Sequence, residues 1–495
     1  MWGVKPRKWL SKRGPNFGIE GPMIRGLSAK GRNSLVGVGA IAVLVLSSPA
    51  DAEDTRAIEA QLKALQAQIT ALQKEVEKAK AAAASAKASA EKPNSGDLDL
   101  DVKWRGAPEL SSADGKFKMK VRGRLQADYN AIDQDEAITG EPDVNAATIR
   151  RARLGVEGVV WADVKYIVEV DFANDTASLR DAYVEYTGLA EDLGLRFGNF
   201  KTFNGLEHLE SANYLTFLER AAFQEAWTLD RQIGAGAIYA KDHYTLSAGI
   251  FGPRVAEQEN WLQDVKTGSA RLTLAPINQE GKVFHAGASW RTRDGAEDLR
   301  GDPVPVNNQF FQYRARGADL RLADRFVSTP AIFDKDTFWG LEGLLIWKSF
   351  SVQGEYTQLK ADSSPIFGIN PDPTYDGWYV EANWFLTGES QTYQKGVIGR
   401  PMVKNPVFQG GYGAWQLAGR YDVLDLTDKA VNIAACDLCG EQKTWLISLN
   451  WWLNNHTRFQ FQYSESDIDG GLMNGANLDN GATIKGFGAR AQVDW

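Results

Sequence analysis

Phe117-Lys-Met-Lys-Val-Arg-Gly-Arg-Leu-Gln-Ala-Asp-Tyr129 alternates apolar and polar side chains almost without interruption, and this period of two decides the fold. Successive side chains of a strand point to opposite faces. Phe117, Met119, Val121, Leu125, Ala127 and Tyr129 therefore share one face, and Lys118, Lys120, Arg122, Arg124, Gln126 and Asp128 the other. The alternation returns at residues 151–157, 164–172, 377–384, 457–464 and 486–495. About sixteen such segments of roughly ten residues follow one another, joined alternately by tight turns and by longer loops rich in Gly, Asp, Asn and Pro, as an outer-membrane barrel requires. The expected fold is all-β: a 16-stranded antiparallel transmembrane β-barrel over residues 115–495. A soluble β-sandwich also alternates, but it would not keep charge on its inner face over about 380 residues. Trp347, Trp378, Trp384, Trp415, Trp445 and Trp451 fall near segment ends or on the apolar face, where interfacial girdles form. Residues 309–324 read as part of a long loop, because the alternation fails from Leu320 to Val327.

Working outward toward the N-terminus, the one long apolar run lies between Leu35 and Leu46, after Arg25, Lys30 and Arg32 and before Ser48-Pro49-Ala50-Asp51-Ala52. That order matches a secretory signal peptide over residues 1–52, cleaved after Ala52, with Met23 as an alternative start to Met1. A membrane anchor is the other reading, and the run is too short for it. From Thr55 onward, Ile58, Leu62, Leu65, Ile69, Leu72, Val76 and Ala79 recur at steps of three and four. Such a heptad seam predicts a coiled coil at residues 53–92, dimeric or trimeric, while a single helix lying on the barrel is the alternative. Pro93-Asn94-Ser95-Gly96 ends it and opens a polar linker over 93–114.

Charge and composition narrow the function. Of 55 Lys+Arg and 63 Asp+Glu, cleavage after Ala52 removes eight and two, changing the net charge from −8 to −14 and arguing against nucleic acid as a partner. The only cysteines, Cys436 and Cys439, fit a small loop disulfide better than a metal or redox centre in an exported chain. The four histidines, His208, His243, His285 and His456, stand in no nucleophile or metal pattern. No catalytic residue, metal or cofactor is therefore expected, and the chain is not read as an enzyme.

Val121-Arg-Gly-Arg-Leu-Gln126, Ile149-Arg-Arg-Ala-Arg-Leu-Gly155, Tyr166-Ile-Val-Glu-Val-Asp-Phe172, Leu195-Arg-Phe-Gly-Asn-Phe200, Gly205-Leu-Glu207, Leu218-Glu-Arg220 and Val352-Gln-Gly-Glu-Tyr356 resemble the phosphate-selective porin O and P family. The last strand, Phe487 to Trp495, also resembles the aromatic-ended strand by which such proteins are recognised for assembly, with Trp in place of the usual Phe. The resemblance implies a homotrimer in the outer membrane of a Gram-negative cell. It also implies a third external loop, here about residues 202–230, folded into the pore as its constriction. Arg124, Arg150, Arg151 and Arg220 would be basic ladder or constriction residues and Asp171 the acidic one beside it. Where the family has a constriction lysine and paired serines, this chain has His208 and Ser211-Ala212, which weakens the case for strict phosphate selectivity.

By parity, Lys118, Lys120, Arg122 and Arg124 form one inward row at about 7 Å spacing, and Arg151 and Arg153 add two bases on the next strand. Such cations replace the hydration an anion sheds at a narrow point, and several weak stations conduct better than one tight one. The alternative is that they pair with Glu157, Glu169, Asp171, Asp181 and Glu185, which also face inward by parity. The constriction residues expected on the loop are His208, Ser211 and Glu219. The expected function is passive diffusion of small hydrophilic solutes with a preference for anions, phosphate or other oxyanions. The competing reading is an envelope tether, in which the periplasmic coiled coil holds the cell wall and the pore is non-selective. The surrounding partner is outer-membrane lipid.

Overall fold

The computed structural model describes residues 63–80 except 65, 69, 72 and 79, and residues 100–495 except 105, 256–265, 296–309, 368–371, 429–438 and, within 471–480, all but 472–473 and 476–477. The chain forms two compact units, Met1–Lys92 and Pro93–Trp495. In the first, the described residues between 63 and 80 are helical and exposed, Val76 among them. The other seam positions, Ile58, Leu62, Leu65, Ile69, Leu72 and Ala79, and the expected signal peptide lie outside the described residues.

In the second unit sixteen strands form one closed sheet. They are β1 (Lys118–Asp133), β2 (Val144–Val160), β3 (Val164–Asp171), β4 (Ser178–Tyr186), β5 (Leu193–Lys201), β6 (Arg231–Ala240), β7 (Tyr244–Phe251) and β8 (Lys266–Gln279). The second half is β9 (Lys282–Asp294), β10 (Phe333–Trp347), β11 (Phe350–Ser363), β12 (Thr374–Phe385), β13 (Ala414–Asp425), β14 (Glu441–Asn454), β15 (Thr457–Asp469) and β16 (Ala482–Asp494). Each pairs antiparallel with its chain neighbour, and β16 returns to β1 from Lys485 opposite Asp133 to Asp494 opposite Arg124. Closure is what lipid demands, since an unpaired strand edge in hydrocarbon costs several kcal/mol per backbone group.

Trp495 lengthens this seam. Its amide donates to the Gly123 carbonyl at 3.1 Å and its carbonyl accepts from the Gly123 amide at 3.2 Å. A Cβ on residue 123 would lie 2.0 Å from the indole, so glycine is required where the two ends of the barrel meet.

Alternation sorts the two faces as the sequence predicts. Leu125, Tyr129, Leu341, Trp347, Trp384, Trp445 and Phe461 are exposed on the outer face, while Gln126, Asn130, Thr444 and Gln460, each one step from such a residue on the same strand, are buried inside. The exposed apolar rows are the lipid-facing surface. Within the expected linker, the described residues form strands: Leu100–Trp104 pairs with Pro108–Ser112 in a hairpin whose second strand joins the start of β1, Leu110 opposite Met119. Leu100, Val102 and Trp104 carry a short period-two signal that the polar composition masks.

Among the described residues, three connections contact the inner face. The third long loop, residues 202–230, contains α1 (Leu206–Leu209) and α2 (Ala222–Trp227). Its Leu218, Phe223 and Trp227 share an apolar cluster with Tyr313, Leu320 and Phe326 of the loop before β10 and with Phe333, Tyr375 and Tyr379 of the strands. Burying those rings holds both loops against the wall. The connection from β12 to β13, residues 386–413, breaks the expected rule of tight turns on its side of the barrel. It forms a small ribbon, Thr392–Gln394 against Val397–Gly399. Its Ile398 packs with Leu206, Val283, Leu344 and Ile346, and its Gly396 carbonyl accepts from Arg271 at 2.8 Å. Cys439 is buried and disulfide-bonded, and Cys436 is the only other cysteine in the chain.

Candidate functional site

Between the inner faces of β1–β6 and the two inward loops lies a cavity of about 770 Å³. Its wall carries thirteen arginines and Lys201 against seven carboxylates, a reversal of the chain's overall charge of −8. Strict alternation would put only every second residue here, yet both Arg150 and Arg151 line it. The reason is a β-bulge: the β1–β2 register shifts between Gln126 and Ala127, opposite Arg151 and Ile149, leaving Arg150 as the extra residue. A second register shift, between Val168 and Val170 on β3, brings the adjacent Arg180 and Asp181 of β4 to the same wall.

The basic side chains divide into engaged and free. Arg122 donates to Glu157 at 2.6 Å and lies 3.3 Å from Glu169. Arg153 sits between Glu169 at 3.0 Å and Asp171 at 2.7 Å. Arg231 meets Asp181 at 2.6 Å, and Arg196 meets Glu185 at 2.5 Å. Asp171 also accepts the amides of Ala152 and Ala173, so its charge is fully used by the wall. In contrast, Arg151 has a neutral partner, the Gln126 amide oxygen at 2.7 Å, with Glu219 at 3.8 Å and its own Nε unbonded. Arg124 is 5% exposed, and among the described residues it makes no hydrogen bond or ion pair.

Other expected site residues are placed differently. Lys118 and Lys120 do not continue the row into this cavity; they line a smaller recess with Glu109, Glu157 and Glu185 at the start of β1. The expected four-base row therefore reduces to Arg122 and Arg124, because the strand extends past the cavity. Arg220 reaches the cavity, but its guanidinium donates to the carbonyls of Glu207 at 2.8 Å and Glu210 at 2.7 Å, so it braces the loop. Ser211 lines the cavity with its hydroxyl accepting the Asn213 amide at 3.3 Å. His208 is buried beside Lys201, which donates to its carbonyl, and its Nε2 has no partner. Burial first, then Lys201 and Arg220, push the His208 pKa well below the ordinary imidazole value. It is a neutral group at neutral pH.

The third loop is clipped to the wall opposite the arginines. Glu355 of β11 accepts the amides of Leu206 at 3.0 Å and Glu207 at 2.8 Å, together with the Tyr379 hydroxyl at 3.0 Å. Arg420 of β13 bridges Glu207 and Glu381, the latter at 2.7 Å. Sequence reasoning missed these residues, as well as Arg180, Arg231, Arg316, Arg321 and Arg325 on the cavity wall. For Arg231 the only available signal was a basic residue beside the constriction segment; for the loop arginines there was none, since a loop has no parity. Among the described residues no cluster of His, Cys, Asp and Glu could hold a metal.

The family model of the phosphate-selective porins O and P matches residues 119–495. Porin O of Pseudomonas aeruginosa is 29% identical over 397 residues, 75% of this chain and 88% of that protein. An uncharacterized protein of Caulobacter vibrioides is 29% identical over 408 residues, 80% of this chain and 77% of that one. Among solved structures, a loop L8 deletion mutant of OmpT, an outer membrane protein of Vibrio cholerae, aligns with a TM-score of 0.48 at 12% identity, covering 77% of this chain and 100% of that one. The chain is a multi-pass β-barrel of the outer membrane and belongs to the phosphate-selective porin O and P family.

Proposed function

We propose that this porin passes small hydrophilic anions, phosphate and other oxyanions among them, along the arginine-lined side of its lumen. The observation that carries the reading is Arg124, a buried guanidinium on the cavity wall that makes no ion pair among the described residues. A passing anion supplies the missing partner. Arg122, one inward step along the strand and about 7 Å away, is already neutralised by Glu157 and Glu169, so it attracts more weakly and lets the anion leave. Arg suits oxyanions because its planar fork presents paired donors. With a neutral His208 where the family has a lysine, the preference is moderate and extends beyond phosphate. The test is the reversal potential of single channels in a planar bilayer under a tenfold potassium chloride gradient. Anion preference is expected, and clear cation preference would end the reading.

The functional unit is a homotrimer joined through β3–β7. These strands are eight to ten residues long, against twelve to seventeen for the others, and carry no tryptophan on their outer face. Trp290, Trp339, Trp347, Trp384, Trp445 and Trp451 all stand on β9–β14. A low wall without a girdle, paved with Ala182, Ala235, Ala237 and Ala248, suits another protein better than lipid. Ala237→Glu should convert a heat-sensitive trimer band into monomer on unheated gels, with the folded monomer retained. Residues 53–92 would form the matching coiled coil. Their exposed helical residues support that part, and deleting 55–92 should loosen the envelope without changing conductance.

A further inference from the structure

Glu219 lies on the third loop, before α2, and its carboxylate faces three guanidinium groups. Arg150 grips it from the bulge with two parallel bonds, Nε to Oε1 at 2.5 Å and Nη2 to Oε2 at 2.8 Å. Arg490 of β16 approaches Oε1 at 3.2 Å and Arg151 approaches Oε2 at 3.8 Å. Burial alone would raise its pKa, but Arg150, Arg151 and Arg490 outweigh burial and hold it well below the usual carboxylate range. It is therefore an anion at any pH the channel works in.

The three arginines differ in their other partners. Arg490 is satisfied without Glu219: Asp128 takes two of its donors at 2.7 Å each, and the Leu218 carbonyl accepts a third at 2.7 Å. Arg150 makes no other hydrogen bond or ion pair among the described residues, and its side chain is 22% exposed to the cavity that Glu219 also lines. The pair is thus a planar carboxylate held by a fork-shaped guanidinium in contact with the lumen. That is the geometry by which a free carboxylate or phosphate would be bound. It stands one step from Gln126 and Arg151 and two from Arg124 along the same wall.

Resting on the anion pathway proposed above, we infer that Glu219 is a tethered counter-anion: it occupies the Arg150 station that a permeating carboxylate or oxyanion would otherwise take, and thereby sets how tightly the channel holds its permeant. An anion arriving from the loop side meets Arg150 already neutralised, competes with a ligand at very high local concentration, and passes to Arg151 and Arg124 without being trapped. A pore with Arg150 bare would bind anions more tightly and release them more slowly. Because the resident group is a carboxylate, small carboxylates as well as phosphate fit the station.

The experiment is inhibition of chloride current by inorganic phosphate, and separately by succinate, in wild type and Glu219→Gln. Gln keeps the shape of the side chain and removes its charge. The half-inhibiting concentration of both anions should fall about tenfold, as expected when one charge of a close pair is removed from an anion site, and single-channel chloride conductance should fall at saturating salt, where release is limiting. Unchanged or weaker inhibition, in a variant that still runs as the heat-modifiable folded form, overturns the inference and leaves Glu219 as a brace for the loop. If Glu219→Gln does not fold, Arg150→Gln removes the station from the other side. Glu219 is then left on the path without its main counter-charge, so phosphate inhibition should weaken by about tenfold, and inhibition as strong as in wild type would overturn the inference. Cation preference of the wild-type channel would instead overturn the anion reading itself, so the two failures are distinguishable.

Discussion

The inner wall of this barrel has two halves that solve the same electrostatic problem in opposite ways. On the β8–β13 side every inward arginine has an acidic partner: Arg271 with Glu342, Arg291 and Arg293 with Asp336, and Arg420 with Glu207 and Glu381. That half is roofed by the third loop and by residues 386–413 and takes no part in the main cavity. On the β1–β6 side the arginines outnumber the acids, the wall is open, and among the described residues the Arg124 side chain makes no hydrogen bond or ion pair. A chain with more acidic than basic residues can thus present a basic path, because thirteen arginines and Lys201 face the main cavity against seven carboxylates. Net charge predicts little about a pore; the sorting of charge between covered and open wall predicts much.

The contrast breaks most visibly at Arg420, on the covered side. Arg420→Leu leaves Glu207 and Glu381 buried and facing each other without a cation, and unpairing a buried ion pair costs about 3–5 kcal/mol. The variant should lose most of its resistance to urea when unfolding is followed by electrophoretic mobility. Any folded fraction should show larger and noisier conductance, since the loop has lost its anchor. Arg153→Gln on the open side is a smaller insult. It deprives Asp171 of its cation while Glu169 retains Arg122, so a stability loss of about 1–3 kcal/mol is expected. Asp171 then faces the path without a counter-charge, so anion preference should fall further than in any neutral substitution of an unpaired arginine.

Arg124→Gln is that neutral substitution. Removing a buried cation with no partner relieves a desolvation cost, so stability should change by less than about 1 kcal/mol or rise slightly. The anion-to-cation permeability ratio, read from reversal potentials, should nevertheless fall by about twofold or more. Opposite outcomes for Arg420 and Arg124, one in folding and one in selectivity, would establish that the two halves have separate duties. A stability loss at Arg124 equal to that at Arg153 would erase the distinction.

How far the sequence reveals this division depends on the range of the forces involved. Alternation is set by each strand's own geometry, so Leu125 outside and Gln126 inside could be assigned without coordinates. The same rule fails at the bulges, where Arg150 joins Arg151 and Arg180 joins Asp181 on one face, since a bulge depends on the register of the partner strand. The family pattern pointed to Arg150 where parity alone would have turned it away. The covered half was not legible at all. Glu355 looks like any inward carboxylate on β11, and only the folded chain shows that its partners are two loop amides some 150 positions earlier in sequence. Residues 386–413 were equally opaque, because the apolar contact between Ile398 and Leu206 joins two loops that have no period of their own.

His208 provides the most delicate test, because the expected effect is none. It lies in the third loop and lines the cavity beside Lys201 and Arg220. If it behaved as an open-wall cation, acidification from pH 7.5 to pH 5 would add a charge near its ordinary pKa of about 6.5 and strengthen anion preference. Its pKa is instead lowered by burial and by neighbouring cations, so the neutral imidazole persists as pH falls through that window. The sign is definite: a depressed histidine pKa moves protonation toward more acid solution. The dependence of the reversal potential on pH from 7.5 to 5 should therefore be indistinguishable between wild type and His208→Gln. A rise in anion preference centred near pH 6.5 and abolished by His208→Gln would place this side chain in water, and would move the boundary between covered and open wall to the other side of the constriction.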